Sequence, residues 1–245
     1  MDKIDINCDV GESMGNEEEL FPFISSCNIA CGGHAGNRQT MAETVRLARQ
    51  FEVKIGAHPS YPDKKNFGRI SMDISNNLLI ESIQEQIKSL TAILKMEKLD
   101  LHHVKLHGAL YNDVAKNSNL AQTVLASLEI YKSKTPIYVP YASVMAKEAI
   151  NQGFSVMYEA FGDRRYHKDL SLVSRDSPRA VIKDPKEVLQ QVISVVKNKK
   201  VKTANGNSVN ILADTVCIHG DNPFALQIVS YLSEELPNQN IQLKK

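Results

Sequence analysis

Seven short apolar-rich runs recur along the chain, each separated from the next by a stretch of helical periodicity. This alternation constrains the fold more than any other feature. The runs are Lys3–Asp9, Cys27–Cys31, Val53–His58, His103–His107, Pro136–Val139, Ser155–Glu159 and Thr215–His219. Between them, Met41, Val45, Ala48 and Phe51 fall on one helical stripe. Leu79, Ile83, Ile87, Leu90 and Leu94 fall on another, with Glu81, Glu85 and Lys88 off it. Asp184-Pro185-Lys186-Glu187 reads as a helix cap, a proline at the first helical position and an acidic first turn, ahead of Val188, Leu189, Val192 and Val196. Strand and helix in alternation predict a parallel sheet covered by helices. Asn205-Gly206-Asn207, between Val201–Ala204 and Ser208–Leu212, predicts a small β-hairpin near 201–212, and a last helix is expected from about Asn222 to Glu235. With no repeat, low-complexity tract or linker, residues 1–245 read as one domain.

Side chains alternate across a strand, and the phase is informative here. Ile4, Ile6 and Cys8 oppose Asp5, Asn7 and Asp9. Val53, Ile55 and Ala57 oppose Lys54, Gly56 and His58. Val104 and Leu106 oppose His103, Lys105 and His107, and Val216 and Ile218 oppose Thr215, Cys217 and His219. Each strand has an apolar face for helices and a polar face that ends in an ionisable residue. Both faces of a doubly wound sheet lie under helices and should be apolar. Polar faces that repeat in phase point instead into the lumen of a closed α/β barrel, whose active sites lie at the C-terminal ends of the strands. The expected fold is a seven-stranded, TIM-like (β/α) barrel. Its catalytic candidates are Asp9, His34, His58, Lys105, His107 and His219. The four histidines among them each precede Gly, Ala or Pro at a strand-to-loop exit. His102 and His103 lack that context and read as structural.

Loops supply further candidates. In Cys31-Gly32-Gly33-His34-Ala35-Gly36-Asn37, glycines let backbone amides approach an anion and a helix N-terminus follows, so Gly33 is a binding candidate; a tight turn is the alternative. Asn7 lies on the polar face of the first strand. Asp9 and Glu12 form a carboxylate pair beside histidines, suited to acid–base work or to a divalent metal, with Asp9, His34 and His58 as metal candidates; a capped turn is the plainer reading. Asp163 and Arg164 occupy a long loop, where a guanidinium can clamp a carboxylate or make an exposed ion pair. No nucleophile elbow is evident, and the chain contains no GxxxxGK[ST] phosphate loop.

A net charge of +1 gives no electrostatic basis for a nucleic-acid or membrane partner. The charged N-terminus lacks a secretion signal's apolar core, and no apolar run approaches the roughly 20 residues that span a bilayer. Cys8, Cys27, Cys31 and Cys217 are therefore expected as free, buried thiols in a reducing cytoplasm.

The segments INCDVGE (Ile6–Glu12), NIACGGHAGN (Asn28–Asn37), GAHPSYPD (Gly56–Asp63), NFGR (Asn66–Arg69), HVKLHGALYN (His103–Asn112), GDRRY (Gly162–Tyr166) and ADTVCIHGD (Ala213–Asp221) together resemble the LamB/YcsF family, in order and spacing over nearly the whole chain. The resemblance implies a barrel similar to glycoside hydrolase/deacetylase folds and the first of three components of a 5-oxoprolinase. The resemblance further implies that this component works with subunits B and C to convert 5-oxoproline, ATP (as its magnesium complex) and water to glutamate, ADP and phosphate. On that reading Lys105 supplies positive charge beside His107, Asp9 or His58 is the general base, His34 and His219 are acids or positioning groups, and Arg164 holds the substrate carboxylate. Other reaction classes compatible with the residues are a metal-dependent deacetylase or amidohydrolase acting alone, and a non-catalytic scaffold. The chain departs from the family pattern at Asn37, usually Asp, and at Leu106, usually Pro.

Overall fold

A computed structural model describes residues 1–175 and 177–244. In chain order its elements are β1 (Asp2–Val10), α1 (Glu17–Leu20), β2 (Ser26–Ala30), α2 (Arg38–Gln50), β3 (Lys54–His58), α3 (Asn76–Met96), β4 (His103–Lys105), α4 (Gly108–Val114), α5 (Ser118–Leu128), β5 (Ile137–Pro140), α6 (Val144–Asn151), β6 (Val156–Phe161), α7 (Pro185–Asn198), β7 (Lys200–Lys202), β8 (Ser208–Asn210), β9 (Thr215–Ile218), α8 (Ala225–Glu235) and β10 (Ile241–Leu243). β1 to β6 pair in sequence order, β9 joins β6, and β9 pairs with β1. Every one of these pairings is parallel, so seven strands close into a barrel, as the alternation of strand and helix predicts. β10 adds in parallel beside the start of β1, an addition that the sequence pattern does not announce. β7 and β8 form an antiparallel hairpin outside the barrel.

The apolar strand faces meet the helix stripes in one continuous core. Leu79, Ile83, Ile87 and Leu90 of α3 are fully buried in it. Burial of a side chain of that size stabilises by roughly 1.5–3 kcal/mol. α3 starts where Ser75 accepts from the Leu78 amide, and α7 where Asp184 accepts from the Lys186 amide ahead of Pro185. No described helix is long and apolar enough to cross a membrane.

The barrel interior is polar and layered. At the bottom, Asp5 Oδ1 accepts from Ser26 Oγ at 2.8 Å and Thr215 Oγ1 at 2.6 Å. The His103 ring lies across the lumen, stacked on Tyr138 at 3.8 Å, with Nε2 at 2.6 Å from Asn28 Oδ1. A Cβ at Gly56 would collide with that ring, which explains a glycine inside a strand. β4 is shorter than the periodicity suggests because the chain turns out of the sheet after Lys105. The His107 amide donates to the Pro59 carbonyl, and Gly108 takes a positive φ of 58° against the Gly68 carbonyl. α8 starts three residues later than expected because the Asn222 side chain accepts from the Phe224 amide and donates to Asp163.

Candidate functional site

Lys105 lies at the centre of the strand mouth. Its Nζ is 2.8 Å from Asp9 Oδ1, 3.0 Å from Glu159 Oε1, 3.0 Å from Cys217 Sγ and 3.3 Å from Asn7 Oδ1. Burial works against the ammonium, but the carboxylates outweigh it and hold Lys105 well above its usual range. Burial likewise raises Asp9, yet His58 and Lys105 bring it well below the usual carboxylate range. Burial pushes the Cys217 thiol up, so it stays protonated beside the lysine. Asn28 donates to both Asp9 Oδ1 and Asn7 Oδ1 at 2.8 Å, and Asn7 donates to Glu159 Oε1 at 3.0 Å and Thr215 Oγ1 at 2.8 Å. This amide network fixes both carboxylates before any ligand arrives.

β9 ends in a second constellation. His219 Nδ1 is 2.8 Å from Asp163 Oδ1, and Asp163 Oδ2 accepts from the His219 amide at 3.2 Å and from Asn222 Nδ2 at 3.1 Å. Burial raises the Asp163 carboxyl, but His219 and Asn222 hold it below the usual range, so it is ionised and accepts only. The proton therefore resides on His219 Nδ1, and Nε2 is left for a ligand.

A third group forms where the loops after β1 and β2 meet the ends of β3 and β4. His34 Nε2 is 2.9 Å from Glu12 Oε1, and His34 stacks parallel to His107 at 3.5 Å. His107 Nδ1 is 3.0 Å from His58 Nε2 and 3.4 Å from Glu12 Oε1. His58 Nδ1 faces the Lys105 carbonyl at 2.8 Å and His107 Nε2 the Phe67 carbonyl at 2.9 Å.

The three groups surround a cavity of about 300 Å³. Asp9, His58, Lys105, His107 and His219 line its depth, with Tyr111 and Phe161 as apolar wall and Arg69, Arg164 and Arg175 around it. Arg69 and Arg175 both pair with Asp221, the latter at 2.8 Å. Arg164 donates to the Val173 carbonyl at 2.6 Å, and its Nε is buried without a partner. Burial, with Arg175 nearby, brings its guanidinium down to about 10, so it remains a cation at neutral pH.

The geometry sorts the sequence candidates. Five of the six catalytic candidates line the cavity; His34 lies behind the His107 ring. Among the binding candidates only Arg164 lines it. Asn7 braces Lys105 and Glu159, Asp163 orients His219, and Glu12 faces His34. Gly33 is tightly packed outside the cavity lining: a Cβ there would collide with the Gln86 amide. The adjacent helix N-terminus is satisfied from within, because Asn37 accepts from the Gln39 and Thr40 amides and Thr40 caps Asn37 in return. Asn37 is exposed, and Leu106 belongs to the apolar core. The trio Asp9, His34 and His58 does not share a point, since the donor atoms grouped within 4.8 Å are those of Glu12, His34, His58 and His107. Asn28, Glu159 and the Arg69–Asp221–Arg175 rim are site residues that the sequence pattern does not single out. Asn28 and Glu159 obey the same alternation, since Ser26 and Asn28 oppose Cys27 and Ile29, and Glu159 is in register with Thr215.

Comparison with known proteins extends the resemblance. A profile of the LamB/YcsF family matches residues 4–245. The 5-oxoprolinase A-subunit of Thermococcus sibiricus is 43% identical over 98% of this chain and 96% of its own. Its counterpart from Staphylococcus aureus is 39% identical over 99% of both. The crystal structure of a lactam utilization protein from Thermus thermophilus superposes with a TM-score of 0.92 at 36% identity, covering 99% of each chain. Sequence and fold thus agree from one end to the other, and the chain belongs to the LamB/YcsF family.

Proposed function

We propose that this chain is the lactam-opening component of a cytoplasmic ATP-dependent 5-oxoprolinase, working with partner subunits B and C. The observation that carries the reading is the cavity itself. A buried, pre-paired ammonium and an oriented imidazole face a small space ringed by arginines, in a chain whose full-length relatives bear that enzyme's name. Its volume suits a small ligand.

A five-membered lactam is a poor electrophile, and transfer of a phosphoryl group from ATP to its oxygen activates the carbon. With no phosphate loop in the chain, we assign nucleotide binding to the partners and the activated lactam to this cavity. Arg164 and the rim arginines receive the carboxylate and phosphate charges. His219, oriented by Asp163, takes a proton from water as it adds to the activated carbon. Lys105 faces the negative charge that develops there. His219 then returns the proton to the ring nitrogen as the C–N bond breaks, and a second water hydrolyses the resulting γ-glutamyl phosphate to glutamate and phosphate. His219 is a better base than Asp9, which is engaged by Lys105 and Asn28, or than His58, whose Nε2 faces His107.

The test is reconstitution with candidate B and C chains, following 5-oxoproline-dependent release of ADP and glutamate. Glutamate should form only when all three chains are present, and His219→Gln should abolish it. Turnover by B and C alone, or ATP-independent hydrolysis by this chain alone, would refute the proposal.

A further inference from the structure

We propose that Glu12, His34, His58 and His107 form a site for one divalent first-row transition-metal cation, zinc foremost, in the barrel wall beside the cavity.

The argument begins with protons. A backbone carbonyl only accepts, so His58 carries a hydrogen on Nδ1, toward Lys105, and His107 carries one on Nε2, toward Phe67. In neutral rings, the lone pairs of His58 Nε2 and His107 Nδ1 then face each other across 3.0 Å, with Asp9 Oδ2 3.5 Å from the same His58 nitrogen. Glu12 Oε1 lies 3.4 Å from the same His107 nitrogen and 2.9 Å from His34 Nε2. All four donor atoms lie within 4.8 Å of one another. The facing His58 and His107 lone pairs, with carboxylates beside them, draw a cation or a proton to that point, and His34 Nε2 meets Glu12 Oε1 at hydrogen-bond distance. Four ligands at about 2.0–2.1 Å around a tetrahedral ion are roughly 3.3 Å apart, and the separations here bracket that value.

The surroundings agree. Metal-bound imidazoles commonly donate their outer N–H to a carbonyl or carboxylate, which is what the Lys105 and Phe67 carbonyls provide. His34 has no outer partner for Nδ1 and stacks parallel to His107, so its ring must turn for both in-plane lone pairs to meet at one ion. The described residues bury five carboxyl groups, on Asp5, Asp9, Glu12, Glu159 and Asp163, against two fixed cations, Lys105 and Arg164. A dication narrows that imbalance. Three imidazole nitrogens and one carboxylate oxygen favour zinc, cobalt, nickel or iron over magnesium and calcium.

Elemental analysis of the purified full chain, prepared without chelating resin, tests this directly. It needs neither partner subunits nor lactam, so it succeeds or fails independently of the proposed reaction. About one equivalent of a transition metal is expected. A strong chelator should remove it, and zinc at a hundredfold excess over its Kd should raise the melting temperature by ~5–10 °C. Cobalt substitution should give the intense visible bands of a four-coordinate ion. Glu12→Gln and His34→Gln should lose the ion, whereas Cys217→Ser should keep it. Should a variant fail to fold, the cobalt spectrum of the parent chain still decides coordination number and nitrogen ligation. No metal under any loading condition, with no thermal shift, would overturn the proposal and leave a proton shared between His58 and His107. So would an ion that survives loss of Glu12 and His34 but not of Cys217.

Discussion

Lys105→Met keeps the side-chain volume and removes only the charge, so it isolates what the buried ammonium does. The carboxylates of Asp9 and Glu159 would remain buried, each still holding one amide hydrogen bond, from Asn28 and Asn7 respectively. At 2.8 and 3.0 Å from Nζ, and with an effective dielectric of about 20, the lost attractions are roughly 6 and 5.5 kcal/mol. The ammonium's own desolvation cost, several kcal/mol, disappears with it, and measured losses on breaking a buried pair are about 3–5 kcal/mol. In a chain of this length each kcal/mol moves the melting temperature by about 2–4 °C, so a fall of ~6–20 °C is expected by scanning calorimetry at pH 7.5. Lys105→Met/Glu159→Gln should recover about half of it by removing one uncompensated charge. In the reconstituted enzyme kcat should fall about 10²–10³-fold, the usual loss for one charge-stabilising donor. A single variant that melts within ~2 °C of the parent, or a double variant that melts below the single, would refute this account of the strand mouth.

Asp163→Asn should disturb the tautomer of His219 and lower kcat by ~10³–10⁴-fold with little change in KM, read by steady-state kinetics of the complex. The same variant alters acid stability. Asp163 has a folded pKa below its unfolded value, so its contribution is present above about pH 4 and lost as pH falls through the folded pKa. The variant should melt lower at pH 7 and show a flatter fall between pH 5 and 3; parallel curves would contradict the buried, ionised carboxylate. Gly33→Ala should destabilise by ~1–3 kcal/mol in thermal melts, because the new methyl meets Gln86 and Ser60. A change in substrate KM with no loss of stability would return Gly33 to the binding site. Asn37→Asp should be neutral within ~0.5 kcal/mol and leave turnover unchanged, since either residue caps α2.

The cap at Asn37 shows how local chemistry and function can be confused in a sequence. A glycine-rich loop leading into a helix looks like an anion site, yet Asn37 already accepts from the Gln39 and Thr40 amides, and Gly33 leaves room for the Gln86 side chain. The barrel, by contrast, is written in the strands, because a period of two is set by backbone geometry alone. It places Asp9, Lys105 and His219 at one mouth before any tertiary contact is known. What periodicity cannot supply is which groups meet across the lumen. Glu159 reaches Lys105 because β6 and β9 are neighbours in register, Glu159 beside Thr215, and β9 closes on β1, Thr215 beside Asp5, pairings between residues far apart in the chain. Nor can it assign protons. The roles of His58, His107 and His219 diverge because two face carbonyls and one faces a carboxylate, and those partners come from β4, the loop at Phe67 and the loop at Asp163. Three histidines at equivalent strand exits thus acquire different chemistry from the second layer around them. The Phe67 carbonyl places the hydrogen of His107 on Nε2, whereas Asp163 places that of His219 on Nδ1, so the same side chain at equivalent exits presents opposite nitrogens to its neighbours.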